Sequence, residues 1–378
     1  MKAGKILTRI THRQWIVITL LAITCIASMV FVNHNAGLYG RTIAEVTDTQ
    51  TVDTENVTDI HDNKDTISTQ TISGEILNGP HKGKKIDMSN EYSSSEAYDQ
   101  KYEEGNEVFV SIDENSLQED GLTGAIIDAK RDKYVLAAAW VFLFLLLIVG
   151  RKRGALSIVS LVVNAALMYF ALDLYIANSD GTLLFICSGL VILFSIGSLL
   201  FLNGFNQKTY AAILSTLIGI SVSLAIAYFV IQALQGNGLR YEEMQYLTRP
   251  YREVFMAGLF IGSLGAVMDV SITIASSLFG LYEKDAAITG KALRKSGMDI
   301  GKDVMGTLTS ILFFVYAAGS IPSILLYLKN TSPLGFTLSM NLSLEIARAL
   351  VGGIGIVLTI PISVYTTLFI INAKRKRS

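Results

Sequence analysis

The sequence predicts a polytopic α-helical membrane protein of about eight transmembrane helices, with a small extracytoplasmic β domain between helices 1 and 2. Three observations predict it. Of 378 residues, 51% are hydrophobic and only 17% charged. Apolar stretches recur at about the 20 residues that a helix needs to cross roughly 30 Å of hydrocarbon. The net charge of -1 conceals a segregation: residues 34–133 hold 21 of the 32 acids but 9 of the 31 bases, a net of -12, which leaves +11 on the rest. A single water-soluble domain does not divide its charge in this way.

The first predicted element, residues 1–33, joins a basic amino terminus to an apolar span from Trp15 to Asn33. A cleaved signal peptide also has a basic start and an apolar core. This core is about 19 residues long and no small-x-small cleavage site stands out, so the reading is a retained anchor. Either way residues 34–133 lie outside. Within them, 42–71 is rich in Thr, Asp, Gln and Asn with few large apolar groups, and reads as a flexible tether. Strand signals begin at Ile72. Thr71–Leu77 and Lys84–Met88 flank a turn-rich Asn78–Gly83, and Glu107–Asp113 and Thr123–Asp128 follow. Residues 72–130 thus read as a partial barrel of four or five strands, small enough to need support.

Residues 134–378 carry seven further spans, roughly 134–150, 156–176, 182–202, 210–234, 254–282, 304–328 and 346–373. Arg151, Lys152 and Arg153 make a basic stop after the first of these. With the amino terminus inside, the cytoplasmic pieces hold 17 bases and the short outer connections 5, which predicts eight spans and two cytoplasmic termini. Both cysteines, Cys25 and Cys187, fall in spans, so no disulfide framework is expected in the exported segment.

Polar residues inside the spans are the candidate sites. Asp269 sits midway along the sixth span, where a carboxylate costs on the order of 2.5–3.5 kcal/mol on insertion scales and needs a partner or a wet cavity. Gly258, Gly262, Gly265 and Asp269 recur at spacings of 4, 3 and 4 on one helix face, which Thr273 and Ser276 continue, with Ser271 close in sequence. These predict an ion- or substrate-binding carboxylate; the competing reading is an Asp that fixes helix packing through hydrogen bonds. Gly319 and Pro322 in the seventh span, and Gly352, Gly353, Gly355 and Pro361 in the eighth, predict interrupted helices of the kind that line transporter sites or gate them. The basic loop 283–303, with Ser296, Gly297, Asp299, Lys302 and Asp303, predicts a cytoplasmic surface on anionic lipid headgroups or a docked partner. It is not a phosphate-binding loop, because Gly290-Lys291 is followed by Ala and no Gly stands at the required upstream position.

The stretches Gly265-Ala266-Val267-Met268-Asp269-Val270, Ser296 to Gly306 and Gly352-Gly353-Ile354-Gly355 to Pro361 resemble the landmarks of the YibE/F-like family of bacterial membrane proteins. The resemblance spans about residues 72–361, with a departure at Thr309–Tyr316. It implies a multi-span protein of the bacterial cell membrane. It also implies a heteromer with a shorter relative that lacks the ectodomain, and an activity essentially unassigned. The residues themselves favour a permease or transporter subunit built around Asp269. The alternative is a non-transport scaffold or sensor whose acidic ectodomain recognises a partner. No catalytic residue, metal ligand set, cofactor or nucleic-acid surface is expected: intramembrane aspartyl proteolysis needs two span carboxylates and only Asp269 is well placed, Asp173 lying near the outer end of its span, and all four histidines lie outside the spans.

Overall fold

The computed structural model describes residues 12–96, 99–113, 122–177, 183–244 and 250–376. The chain divides into two compact units, residues 1–148 and 149–378.

The first unit contains α1 (His12–Asn33), a 3-10 turn at Ala36–Leu38, five strands and the start of α2 (Asp132–Ala177). The strands are β1 (Thr42–Thr58), β2 (Lys64–Ile76), β3 (Lys85–Ser93), β4 (Glu107–Ile112) and β5 (Leu122–Ala129). They close in the order β1-β2-β3-β5-β4, with β4 returning to β1 and β3–β5 the parallel pair. That is the connectivity of the OB-type barrel. Alternate residues point inward, so Ala44, Val46, Ile72, Ile76, Ile86, Met88, Val108, Val110 and Leu122 make one core. Gly124 lies where the barrel is tightest: a Cβ there would overlap the Ser111 carbonyl oxygen and come within 2.8 Å of Ile86.

Two sequence expectations change here. The barrel is closed rather than partial. Residues 42–71, read as a tether, instead form β1 and most of β2, paired from Ala44–Ile76 to Thr58–Lys64. The far part of this ribbon buries almost nothing, which is why its composition looked disordered. Its β-branched Thr and Val residues favour the pleated backbone, and polar cross-strand contacts such as Thr54–Ser68 (3.2 Å) and Thr66–Asn56 (3.1 Å) replace apolar ones. The ribbon turns at Asp59, whose Oδ1 accepts from the His61 and Asn63 amides.

A buried polar knot ties the barrel to the helices of this unit. The Lys130 side chain, 1% exposed, lies 2.6 Å from Glu107 and 3.2 Å from Asp132, and donates to the Val32 carbonyl of α1. Asp132 also accepts from Asn35 and Tyr39, both at 3.0 Å. Trp140 of α2 donates to Ser28 of α1 at 2.8 Å.

The second unit holds the rest of α2 with α3 (Leu183–Asn203), α4 (Gln207–Ala233), α5 (Tyr251–Lys284), α6 (Gly290–Lys329) and α7 (Leu334–Arg375). α5 and α7 are the most buried. α4 runs antiparallel to α7, since Ser215 meets Thr366 while Ser223 donates to the Val351 carbonyl. α5 runs parallel to α7, with Val267 against Gly355 and Ser271 against Ser363. α6 is antiparallel to α7, with Gly297 against Val364 and Leu312 against Gly352.

Six of the described helices, α2 to α7, are long and apolar enough to cross a membrane, and α1 adds a shorter apolar stretch, Thr19–Asn33. The expected second and third spans belong to one 46-residue element, α2, broken by the non-helical backbone of Arg151 (φ 49°, ψ -123°). Counted as continuous elements the described helices number seven, and the two helices that meet at Arg151 within α2 are where the expected second and third spans lie. Two boundaries also move. α6 begins at Gly290, so residues 290–303 are its first turns and not a loop, and α7 begins twelve residues before the expected Ile346.

Candidate functional site

The predicted carboxylate face exists as a helix face. Gly258, Gly262, Gly265 and Asp269 all lie on the exposed side of α5, and Asp269 makes no hydrogen bond or ion pair among the described residues. Thr273 and Ser276, one and two turns on, are half-buried. Ser271 is not part of this face. Two residues beyond Asp269 it has rotated about 200°, and it is fully buried, accepting from the Ser363 hydroxyl at 3.4 Å.

The expected helix breaks are not breaks. α6 runs through Gly319 and Pro322 and α7 through Gly352, Gly353, Gly355 and Pro361. The α7 glycines instead allow close packing. A Cβ on Gly352 would come within 2.8 Å of Leu312, on Gly353 within 3.3 Å of Thr309, and on Gly355 within 3.1 Å of Val267. Gly297 works in the same way at the start of α6, beside Leu278 and Val364, while Ser296 is half-buried and Asp299, Lys302 and Asp303 are exposed. Asp299 and Lys302 are 3.9 Å apart on the surface, a pair worth little.

A cavity of about 700 Å³ lies elsewhere: between α6, α7 and a 3-10 turn at Tyr241–Glu243. Two helix faces build it. Tyr316, Gly319, Ser320, Ser323 and Tyr327 follow the helical repeat along α6, and Asn341, Glu345 and Arg348 follow it along α7. Of the sequence candidates only Gly319 lines it. Pro322, a turn away, lacks the N–H that the Ala318 carbonyl would otherwise receive.

Neighbouring side chains hold the third wall. The Arg240 amide donates to Ser343 (3.0 Å) and its Nε to Ser339 (3.3 Å), both on α7. Tyr241 packs against Tyr251, tilted, and against Phe255, edge to face, with ring centroids 4.8 and 5.7 Å away. This presents Glu242 and Glu243 to the cavity.

The charges in the cavity are unevenly matched. Arg348 pairs with Glu345 and lies over the Phe255 ring, 5.5 Å from its centroid. Glu242 pairs with Arg240 at 3.3 Å. Glu243 has no bonded partner among the described residues; burial and the neighbouring Glu345 raise its carboxyl above the ordinary range, against a smaller pull from Arg348. Two further polar groups are left over. Asn341, 3% exposed, donates to the Thr337 carbonyl at 2.9 Å, which leaves its Oδ1 unbonded, and the Ser320 hydroxyl, 8% exposed, has no partner among the described residues.

The cavity wall touches the Asp269 face at Gly262. The Tyr316 hydroxyl, on the cavity wall, rests on Gly262, where a Cβ would overlap it. Asp269 follows two turns further along α5, about 10 Å on at 1.5 Å per residue.

The sequence carried a readable signal for this site. Asn341, Glu345 and Arg348 stand at i, i+4 and i+7, a polar face on an apolar helix. It was hidden because α7 starts earlier than its hydropathy implies, so these residues looked like a loop edge.

Comparison with curated proteins finds no match, and neither does comparison with solved structures. Two family profiles do match. One, described as YibE/F-like protein, covers residues 138–373, and the other, described as the YibE/F family N-terminal domain, covers residues 37–129. The chain, with its barrel and its apolar helices, therefore belongs to the YibE/F-like family of membrane proteins.

Proposed function

We propose that the protein is a permease or transporter subunit of the bacterial cytoplasmic membrane, with both termini inside and residues 34–133 outside. Alternating directions of α4 to α7, joined with the 17 to 5 division of bases, support that orientation. The cavity between α6 and α7 is the observation that carries the reading. It is of small-molecule size, it is lined by charged and hydroxyl groups within helices apolar enough to span, and its Tyr316 wall touches the helix that bears Asp269. In this reading substrate enters at the cavity, and Asp269 serves the next step as a coordinating or proton-exchanging group.

Asp269→Asn tests it. The purified variant should elute and melt like the parent, yet lose ion- or proton-coupled flux in reconstituted vesicles. Wild-type flux in this variant would refute the mechanism.

A scaffold or sensor reading is favoured by one observation, that the exported barrel has a complete core of its own. Removing residues 38–131 with the topology retained separates the two: lost phenotype with retained flux supports recognition by the barrel. A heteromer with a shorter relative fits either reading, and co-purification of tagged protein from its native membrane tests it.

A further inference from the structure

We propose that the cavity between α6, α7 and the Tyr241–Glu243 turn is a binding site for a small organic ammonium ion. The proposal rests on the permease reading only for its biological setting; the ligand class follows from the cavity itself.

Charge decides the sign of the ligand. Two of the three carboxylates at the cavity already pair with a guanidinium, Glu242 with Arg240 and Glu345 with Arg348, while Glu243 pairs with none among the described residues. Among the described residues the site thus carries one unpaired carboxylate. An anion would meet it directly, and Arg348, the cation among the described lining residues, is engaged by Glu345 and by the Phe255 ring.

Hydrogen bonding decides the kind of cation. The unbonded Asn341 Oδ1 accepts only, and the Ser320 hydroxyl can accept. Both side chains are more than nine-tenths buried and line the cavity. An ammonium group presents N–H donors to both acceptors and its charge to Glu243.

Size and lining decide against a bare metal ion. No group of three or more His, Cys, Asp or Glu among the described residues could hold one, and Ca²⁺ asks for six to eight oxygens. The volume of about 700 Å³ leaves room for an organic body. Met244, Val315, Met340, Leu344 and the Tyr327 ring supply apolar surface and a π face for it.

Titration calorimetry on the full-length protein in detergent micelles tests the assignment with three near-isosteric probes: phenethylammonium, 2-phenylethanol and 3-phenylpropanoate, with MnCl₂ as the metal arm. We expect phenethylammonium to bind at least tenfold more tightly than the alcohol, and the carboxylate not to bind. Glu243→Gln should weaken the ammonium at least tenfold and leave the alcohol unchanged; partition into micelles is common to both proteins and cancels. The wild-type ranking of probes is a second measurement that does not depend on the variant folding. Equal binding of ammonium and alcohol, no ammonium binding, preferred binding of the carboxylate, or saturable Mn²⁺ binding that Glu243→Gln abolishes would each overturn the proposal. Ammonium binding without flux would remove the permease reading and leave the ligand class standing. Flux without ammonium binding would do the reverse.

Discussion

Replacing Lys130 by Met keeps the length and apolar stem of the side chain and removes its charge. In the folded protein the ammonium is 1% exposed and within 3.2 Å of two carboxylates, Glu107 and Asp132, whose side chains are 11% and 24% exposed. Breaking a buried ion pair from one side costs about 3–5 kcal/mol, because the remaining charge is left without compensation. Asp132 keeps its bonds from Asn35 and Tyr39 and is the more exposed of the two, so most of the cost falls on Glu107 and the lower figure of about 3 kcal/mol applies. Amide hydrogen exchange in the full-length protein reads this locally: about 3 kcal/mol speeds exchange through opening roughly 100-fold in peptides covering β4 and Ala36–Ala44. Glu107→Gln added to Lys130→Met should recover a large part of it. Exchange within threefold of wild type in Lys130→Met would refute the reasoning. The pH dependence has a definite sign. Burial alone would lower the lysine pKa, but Glu107 and Asp132 outweigh it and hold the value above the ordinary one. The contribution is therefore complete below the unfolded value of about 10.4 and is lost as pH rises through the higher folded value.

Two further outcomes are expected. Gly301→Ala places a Cβ against Ile360, 3.2 Å from that residue's own Cβ, so the stiff β-branched neighbour cannot swing away and the variant should lose about 1–3 kcal/mol. Ile360→Ala should relieve that clash, and a thermal midpoint for Gly301→Ala above wild type, as helix propensity alone would give, would show that α6 and α7 do not pack here. Asp65, held by the Ser94 and Ser95 hydroxyls at 2.6 and 2.7 Å and by the Thr66 amide, has its carboxyl well below the ordinary range. It should titrate below about 3.9 in carbon-13 carboxyl spectra, so the ordering of residues 94–95 persists above that pH and is lost as pH falls through the lower value; titration at or above 3.9 would contradict these bonds.

The sequence by itself determined the membrane character, the division into an acidic insert and an apolar remainder, and the single carboxylate on a glycine-lined face of α5. Hydropathy and charge segregation are properties of composition along the chain, and a 3.6-residue period needs no partner to be read. Strands β3, β4 and β5 and the barrel end of β2 were readable too, because their apolar residues alternate over a core. Only the tertiary structure decided the rest. The far part of the β1–β2 ribbon, beyond Ala44, Val46, Ile72 and Ile76 of the core, is held by backbone pairing and hydroxyl contacts across strands, which leave no apolar trace. Gly352, Gly353 and Gly355 looked like loosened helix, yet they are places where Leu312, Thr309 and Val267 come close, a fact set by residues on other helices. The cavity is the plainest case. Glu243, Ser320 and Asn341 are nearly a hundred residues apart at the extremes, each unremarkable in its own segment, and they line one cavity only once α6, α7 and the turn are packed together.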